Sequence, residues 1–329
     1  MIALFKQKSP ANIVLLLIFG LVIKLPLFLY PKEIKASTSD GSLYQYLISS
    51  IAASGDSKAI LASVISFGLI YLQALMLNYM LNEYRMTARQ SFLPAMAYIL
   101  VTSLLPDWSY LSPELVANTL VLWTFIKMLR LYNASITNST VYDMGLIMGF
   151  ASFIYLPTLV LLVPFLLGIM ILKAFRINEF FLLLLGVTTP YYFYAGYLFF
   201  TDQWSIYKLI PQYHFLIPRI QNSLWLTGSI LLLGIPFLLG GYYVQTQLRS
   251  MLIQARKNWS ILLIFLVFAL FIPMLNSEGS LQNWVITALP FAAFHACSYL
   301  YPPRAWVSSL LFFITLTFVL AQQYFLFLR

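Results

Sequence analysis

Hydrophobic positions along this chain come in long unbroken runs, and polar positions gather in the gaps between them. The runs are about 15 to 25 residues long, which suits a membrane-spanning helix and is roughly twice the length of a barrel strand. They predict an all-α, polytopic helical membrane protein with spans near 12–30, 59–81, 91–105, 115–131, 179–200, 222–245, 259–275, 284–300 and 306–327. The run 144–175 is too long for one crossing. As a single helix it would reach about 45 Å, against a hydrocarbon core of about 30 Å. It contains Tyr155-Leu156-Pro157, and a proline either kinks a helix or begins a new one.

The longest polar interruption, residues 31–58, follows the first span directly. Inside it Leu43, Tyr44, Leu47, Ile48 and Ile51 fall on one stripe at helical spacing. They predict a short amphipathic helix lying at the membrane surface with its apolar face down, and Asp40 stands where its N-cap belongs. A second polar stretch, 204–221, mixes aromatic and basic residues with two prolines and predicts another interfacial segment.

Composition agrees with the pattern: 61% of residues are hydrophobic and 9% charged, against roughly 25% charged in a soluble domain. The net charge of +9 is therefore no nucleic-acid signal, because basic residues of membrane proteins mark the cytoplasmic loops. That rule also decides the stretch 144–175. Folded as a short hairpin, it puts twelve Lys and Arg inside and six outside, whereas a single span gives nine on each side. The hairpin predicts eleven spans in one membrane domain covering 1–329, with a cytoplasmic N-terminus and an exterior C-terminus. The basic start has no small-residue cleavage site after its apolar run, so it is expected to stay as the first helix.

Seven of the ten acidic residues then fall outside, a gathering with no targeting explanation: Glu33, Asp40, Asp56, Asp107, Glu114, Asp202 and Glu278. A solvated surface accounts for it, and so does a site built on the exterior face from several loops. His214 and His295 are far apart, Cys297 is alone, and no His, Cys or acidic set has metal-ligand spacing, so no metal or cofactor is expected. The run Pro190-Tyr191-Tyr192-Phe193-Tyr194 is a candidate wall for a sugar or lipid cavity, with plain packing as the alternative.

The layout resembles that of the GT-C superfamily, polytopic glycosyltransferases that use polyprenyl-phosphate-linked sugars. Asp40-Gly41-Ser42-Leu43-Tyr44 is similar to the family's acidic pair followed by a tyrosine, with Gly41 where a second acid often stands. Ser112-Pro113-Glu114-Leu115 opens a span in the family's manner. Gly145 and Gly149 followed by Pro157 resemble the start of its short hairpin, and Trp284 to Ala293 its late helix. The layout is shared also with uncharacterised bacterial polytopic families, for which no activity is implied.

The resemblance implies inverting sugar transfer at the exterior face of a bacterial inner membrane. Asp40 is the implied base for the attacking acceptor, with Tyr44 and Glu114 as substrate contacts. A leaving lipid phosphate calls for a cation, for which Lys208, Arg219 and Lys24 are the candidates. Lys24 lies inside its span, within snorkelling range of the outer surface. The expected partners are membrane lipids and a polyprenyl-phosphate sugar. Two departures, Gly41 and the absence of Arg from the late loop 276–283, open a second expectation. It is an inactive GT-C-like scaffold or lipid-binding subunit with an envelope protein partner. A transporter or flippase is the third, opposed by the near absence of paired intramembrane charge and of repeated halves.

Overall fold

The structure is a computed structural model that describes residues 2–7, 9–32, 40–52, 58–134, 137–174, 176–205, 209, 223–275 and 280–325. The predicted interfacial segment 204–221, with Lys208 and Arg219, lies almost wholly outside the described residues, as do Glu33, Asp56 and Glu278. Among the described residues every regular element is helical. The α-helices are α1 (Ile2–Phe5), α2 (Ala11–Ile23), α3 (Leu25–Leu29), α4 (Ser42–Ala52), α5 (Lys58–Glu83), α6 (Leu93–Val101) and α7 (Pro113–Leu129). They continue with α8 (Asn138–Ile154), α9 (Leu162–Leu172), α10 (Ile177–Phe200), α11 (Leu224–Gln247), α12 (Ile253–Phe271), α13 (Ala288–Leu300) and α14 (Ala305–Phe325).

Five of the described helices are long and apolar enough to cross a membrane: α5, α10, α11, α12 and α14. The other predicted spans are shorter or broken, and each break has a local cause. The first divides at Lys24, where α2 ends and α3 begins at Leu25 with Pro26 in its first turn. Pro26 has no N–H for the carbonyl four residues back, that of Val22, and the Tyr324 hydroxyl of α14 donates to it instead at 2.7 Å. The third, α6, is nine residues long, about 14 Å of helix, and all nine are buried. It is a core element enclosed by other helices.

Between α8 and α9 the chain breaks at extended Tyr155 and runs through a 3-10 segment, Leu156–Leu161, that starts with Pro157 near its head. Thr137 meets Glu179, Tyr142 meets Thr189, and Ser152 meets Tyr191, so the contacts of α8 and α10 advance together and the two helices run parallel. The chain between them therefore folds back. Glycines permit the approach: a Cβ added at Gly145 would sit 2.2 Å from the Leu183 carbonyl oxygen, and one at Gly186 would sit 2.4 Å from that of Tyr142. At one end of the pair Glu179 accepts from both Thr137 and Lys173, and Lys127 pairs with Asp143 at 2.8 Å.

Deep between α5, α6 and α7 lies a closed polar cluster. Tyr98 donates its hydroxyl to Gln73 Oε1, and Asn118 donates to the Tyr98 oxygen at 3.0 Å. Gln73 in turn donates to the Leu115 carbonyl at 2.8 Å and to Thr119 at 2.7 Å. Such a network fixes the rotation of three apolar helices that hydrophobic contact alone leaves free to slide.

Candidate functional site

Among the described residues five 3-10 segments lie in the connections, and two of them shape the end of the bundle that carries Asp107 and Glu114. Pro106–Ser109 packs against Leu281–Thr287, where the Trp108 indole donates to the Leu281 carbonyl at 2.8 Å. Ser112 caps α7, its hydroxyl accepting from the Leu115 N–H at 3.2 Å, with Pro113 at the first helical position. That start directs Glu114 inward, where it is buried.

The amphipathic helix exists as α4, but its apolar stripe faces the protein. Tyr44, Ile48 and Ile51 are buried against α5 and α8, whereas Leu43 is exposed and joins the opposite face. The expectation of an apolar face laid on lipid is thus corrected, because two helices already cover it. The cap is corrected too. The first helical N–H bond, from Gln45, goes to the Gly41 carbonyl at 3.0 Å, so Gly41 is the N-cap and Asp40 the residue before it. Asp40 is half-buried and accepts the Gln45 side-chain amide on its backbone carbonyl at 2.9 Å.

Gly41 is held tightly. Its N–H donates to the Ile154 carbonyl at 3.2 Å, and a Cβ built on it would lie 1.9 Å from the Phe153 carbonyl oxygen. Its dihedral lies outside the left-handed region, so the demand for glycine is one of space. A second acid cannot occupy this position while α4 sits on the end of α8.

Tyr44 joins the segments. Its hydroxyl donates to the Leu111 carbonyl at 3.3 Å. Burial chiefly, then the negative charges of Asp40 and Glu114, raise its pKa above the ordinary phenol value, so it stays a neutral donor. The charges of Asp40, one turn before it, and of Glu114, far along the chain, thus both act on Tyr44. Beside them Lys32 lies 4.2 Å from the centre of the Tyr110 ring and 3.9 Å from Asp107. Burial, with Asp107 adding to it, pushes the Tyr110 phenol up to about 12. Lys32 was legible only as one exterior positive charge, because its neighbours are Tyr110 and Asp107, far along the chain.

Lys24 stands apart from this group. It is 1% exposed, so the expected snorkelling to the surface does not occur. Its ammonium donates to Ser109 Oγ at 2.7 Å and to the Thr102 carbonyl at 3.3 Å, and Ser109 donates to the same carbonyl at 3.4 Å. The triangle ties the break between α2 and α3 to the turn before α7.

Next to Asp40 opens a cavity of about 640 Å³ between α4 and the α8–α10 pair. Ser42, Gln45 and Ser49 form one wall, and Phe153, Tyr194 and Tyr197 stand among the residues of the other. Asp40 is not itself in the lining, although Ser42, two residues on, is. Tyr194 bears out a cavity-lining role for part of the aromatic run of α10, while Tyr191 packs: its ring stacks on Phe153 at 4.2 Å, and its hydroxyl meets Ser152 at 2.7 Å. Among the described residues no group of three His, Cys, Asp or Glu is placed to hold a metal.

Helix order, the helix after the first span and the parallel pair make up a fold that is shared with a solved membrane protein. A solved structure that shares it is ArnT from Cupriavidus metallidurans bound to undecaprenyl phosphate, with a TM-score of 0.51 and 14% identity over 91% of this chain. The match spans 62% of the ArnT chain. No protein-family model matches the chain, and no curated protein does. The protein is an integral membrane protein with a GT-C-like fold.

Proposed function

We propose that the protein is a glycosyltransferase of the exterior face of a bacterial inner membrane, moving a sugar from a polyprenyl-phosphate donor to an acceptor. The carrying observation is the docking of α4 at the head of α7, where the Tyr44 hydroxyl donates to the Leu111 carbonyl at 3.3 Å and feels the charges of both Asp40 and Glu114. Asp40 takes the proton of the acceptor hydroxyl as its oxygen bonds to the anomeric carbon. The bond from that carbon to the lipid phosphate breaks, and the configuration inverts. Tyr44, held neutral, and Glu114 fix the acceptor side. Lys208 and Arg219, following α10, are assigned to the departing phosphate, with Lys32 beside Tyr110 as a further exterior cation. Lys24, enclosed by Thr102 and Ser109, is assigned to holding the turn at 102–109. The orientation follows the charge map, with the N-terminus cytoplasmic and the C-terminus exterior.

The test is transfer from a polyprenyl-phosphate sugar in vesicles containing Asp40→Asn. Loss of a general base costs about 10²- to 10⁴-fold, with accumulation of the protein unchanged. Full activity in that variant removes Asp40 from the reaction.

The Gly41 contact favours one second reading. Space for an acid at that position is taken by packing against Phe153, as in a fold kept for assembly with an envelope partner. Purification in mild detergent then brings down a stoichiometric partner, and its absence ends that alternative.

A further inference from the structure

We propose that the end of the bundle opposite Glu114 binds the headgroups of anionic phospholipids through a rim of arginines, a role independent of the transferase reading. Every described arginine lies at this end. Helix α7 runs from Glu114 to Arg130, about 24 Å away along its axis. The Tyr84 hydroxyl donates to the Ile126 carbonyl at 3.1 Å, which sets Arg85 and Arg89 beside that end of α7. Trp259 donates to the Met86 carbonyl at 2.9 Å and brings in Arg249 and Arg256. The Tyr301 hydroxyl accepts from the Ala88 N–H at 3.0 Å and brings in Arg304. Lys257, on the Leu172 carbonyl at 3.3 Å, adds the end of α9 and Arg176. All seven arginines are exposed, and among the described residues none forms an ion pair.

Neither topology nor the fold accounts for them. The rule that keeps positive charge on the cytoplasmic side treats Lys and Arg alike. Here the two part. Lys127 pairs with Asp143, Lys173 pairs with Glu179, and Lys257 lies on a carbonyl and over the Tyr132 ring, so these lysines are spent inside the protein. Arg176, Arg256 and Arg304 stand at the N-terminal ends of α10, α12 and α14, where the helix dipole repels a cation. An anion from outside the chain offsets that repulsion, and a guanidinium presents a flat fork that takes two phosphate oxygens at once. Depth selects the source of the phosphate. Ile177, Ile253 and Trp306, each within three residues of one of those arginines, are exposed, and in a membrane-spanning bundle such side chains meet acyl chains or the interface. The arginines thus lie level with lipid phosphates rather than out in the water, where an acidic protein would meet them.

The experiment uses the full chain in nanodiscs of equimolar phosphatidylcholine and phosphatidylglycerol, with a trace of either lipid spin-labelled on its acyl chain. Electron paramagnetic resonance reads the share of label immobilised at the protein. Labelled phosphatidylglycerol should be held roughly fivefold more tightly than labelled phosphatidylcholine. The triple variant Arg176→Gln, Arg256→Gln and Arg304→Gln should lower that preference about twofold, and the matching Lys triple, which keeps the charges, should retain it. Lys58→Gln, at the other end of α5, should leave it unchanged. Inorganic phosphate or polyglutamate, added at constant ionic strength, should not displace the lipid. Equal retention of the two lipids overturns the proposal, as does an undiminished preference in a folded Gln triple or its loss in the Lys triple. Abolition of the preference by phosphate assigns the arginines to a free anion, and abolition by polyglutamate assigns them to an acidic protein; either result also overturns it.

Discussion

Replacing Gly41 by alanine tests the contact on which the placement of Asp40 depends. The added Cβ would stand 1.9 Å from the Phe153 oxygen, 2.6 Å from its carbonyl carbon and 2.8 Å from the Ile154 oxygen, all backbone atoms of the last turn of α8. Ordinary contact begins at 3.4 Å, so the segment must retreat by about 1.5 Å. The retreat breaks the bond from the Gly41 N–H to the Ile154 carbonyl at 3.2 Å and draws the Tyr44 hydroxyl off the Leu111 carbonyl. Overpacking costs about 1–3 kcal/mol and each net hydrogen bond about 1 kcal/mol, so about 3 kcal/mol is expected. In a large domain that lowers the melting temperature by roughly 6–12 °C. Differential scanning fluorimetry in detergent reads the shift, and hydrogen exchange over 41–52 shows whether α4 has come loose. Gly68→Ala in α5 is the control: its Cβ would meet nothing within 4 Å, and alanine favours a helix, so that variant should melt at the wild-type temperature or slightly above it. A Gly41→Ala protein as stable as wild type, with α4 equally protected, refutes the packing account. Gly41→Asp should fail in the same way, so an acid pair cannot be rebuilt on this segment.

Other consequences are equally measurable. Lys24→Met keeps the packing of the stem and removes a buried amine, so stability should stay within about 1 kcal/mol of wild type. Ser109→Ala, which strips the ammonium of its partner at 2.7 Å, should cost about 2–3 kcal/mol. Tyr98→Phe leaves Gln73 and Asn118 short of a partner and should cost about 1–3 kcal/mol in the same melt. Tyr110 ionises at an ordinary 10.0 when unfolded and at about 12 when folded, so the fold binds its proton more tightly. Its contribution is whole below pH 10 and is lost between pH 10 and 12, so melting temperature should fall across that window as phenolate absorbance rises.

Long apolar runs disclosed the class of fold because α5, α10, α11, α12 and α14 each need a full membrane thickness of hydrocarbon. The stripe of Tyr44, Ile48 and Ile51 disclosed α4, since a helix places every third or fourth residue on one face. Hydropathy could not show what covers that face, nor that Leu43 turns away from it. The break at Lys24 was hidden by the same averaging, for Leu25 to Leu29 is as apolar as the helix before it. Long-range partners hid the rest. Lys24 finds Thr102 and Ser109, at separations of 78 and 85 residues, and Gly41 finds Phe153. Asp40 and Glu114 were each legible as candidates, while their joint action on Tyr44 depends on α4 lying against α8. Lys208 and Arg219 keep the standing the sequence gives them.

The near-touching backbones of α8 and α10 bear on how this molecule can change over generations. Side chains on that pair are hemmed in by carbonyls at Leu183 and Tyr142, so few substitutions at the seam survive. On α4, Gln45, Tyr46 and Ser49 project from an exposed face and support no core. Inherited variation should therefore accumulate on the exposed face of α4, while the glycine seam of α8 and α10 stays frozen by its own architecture.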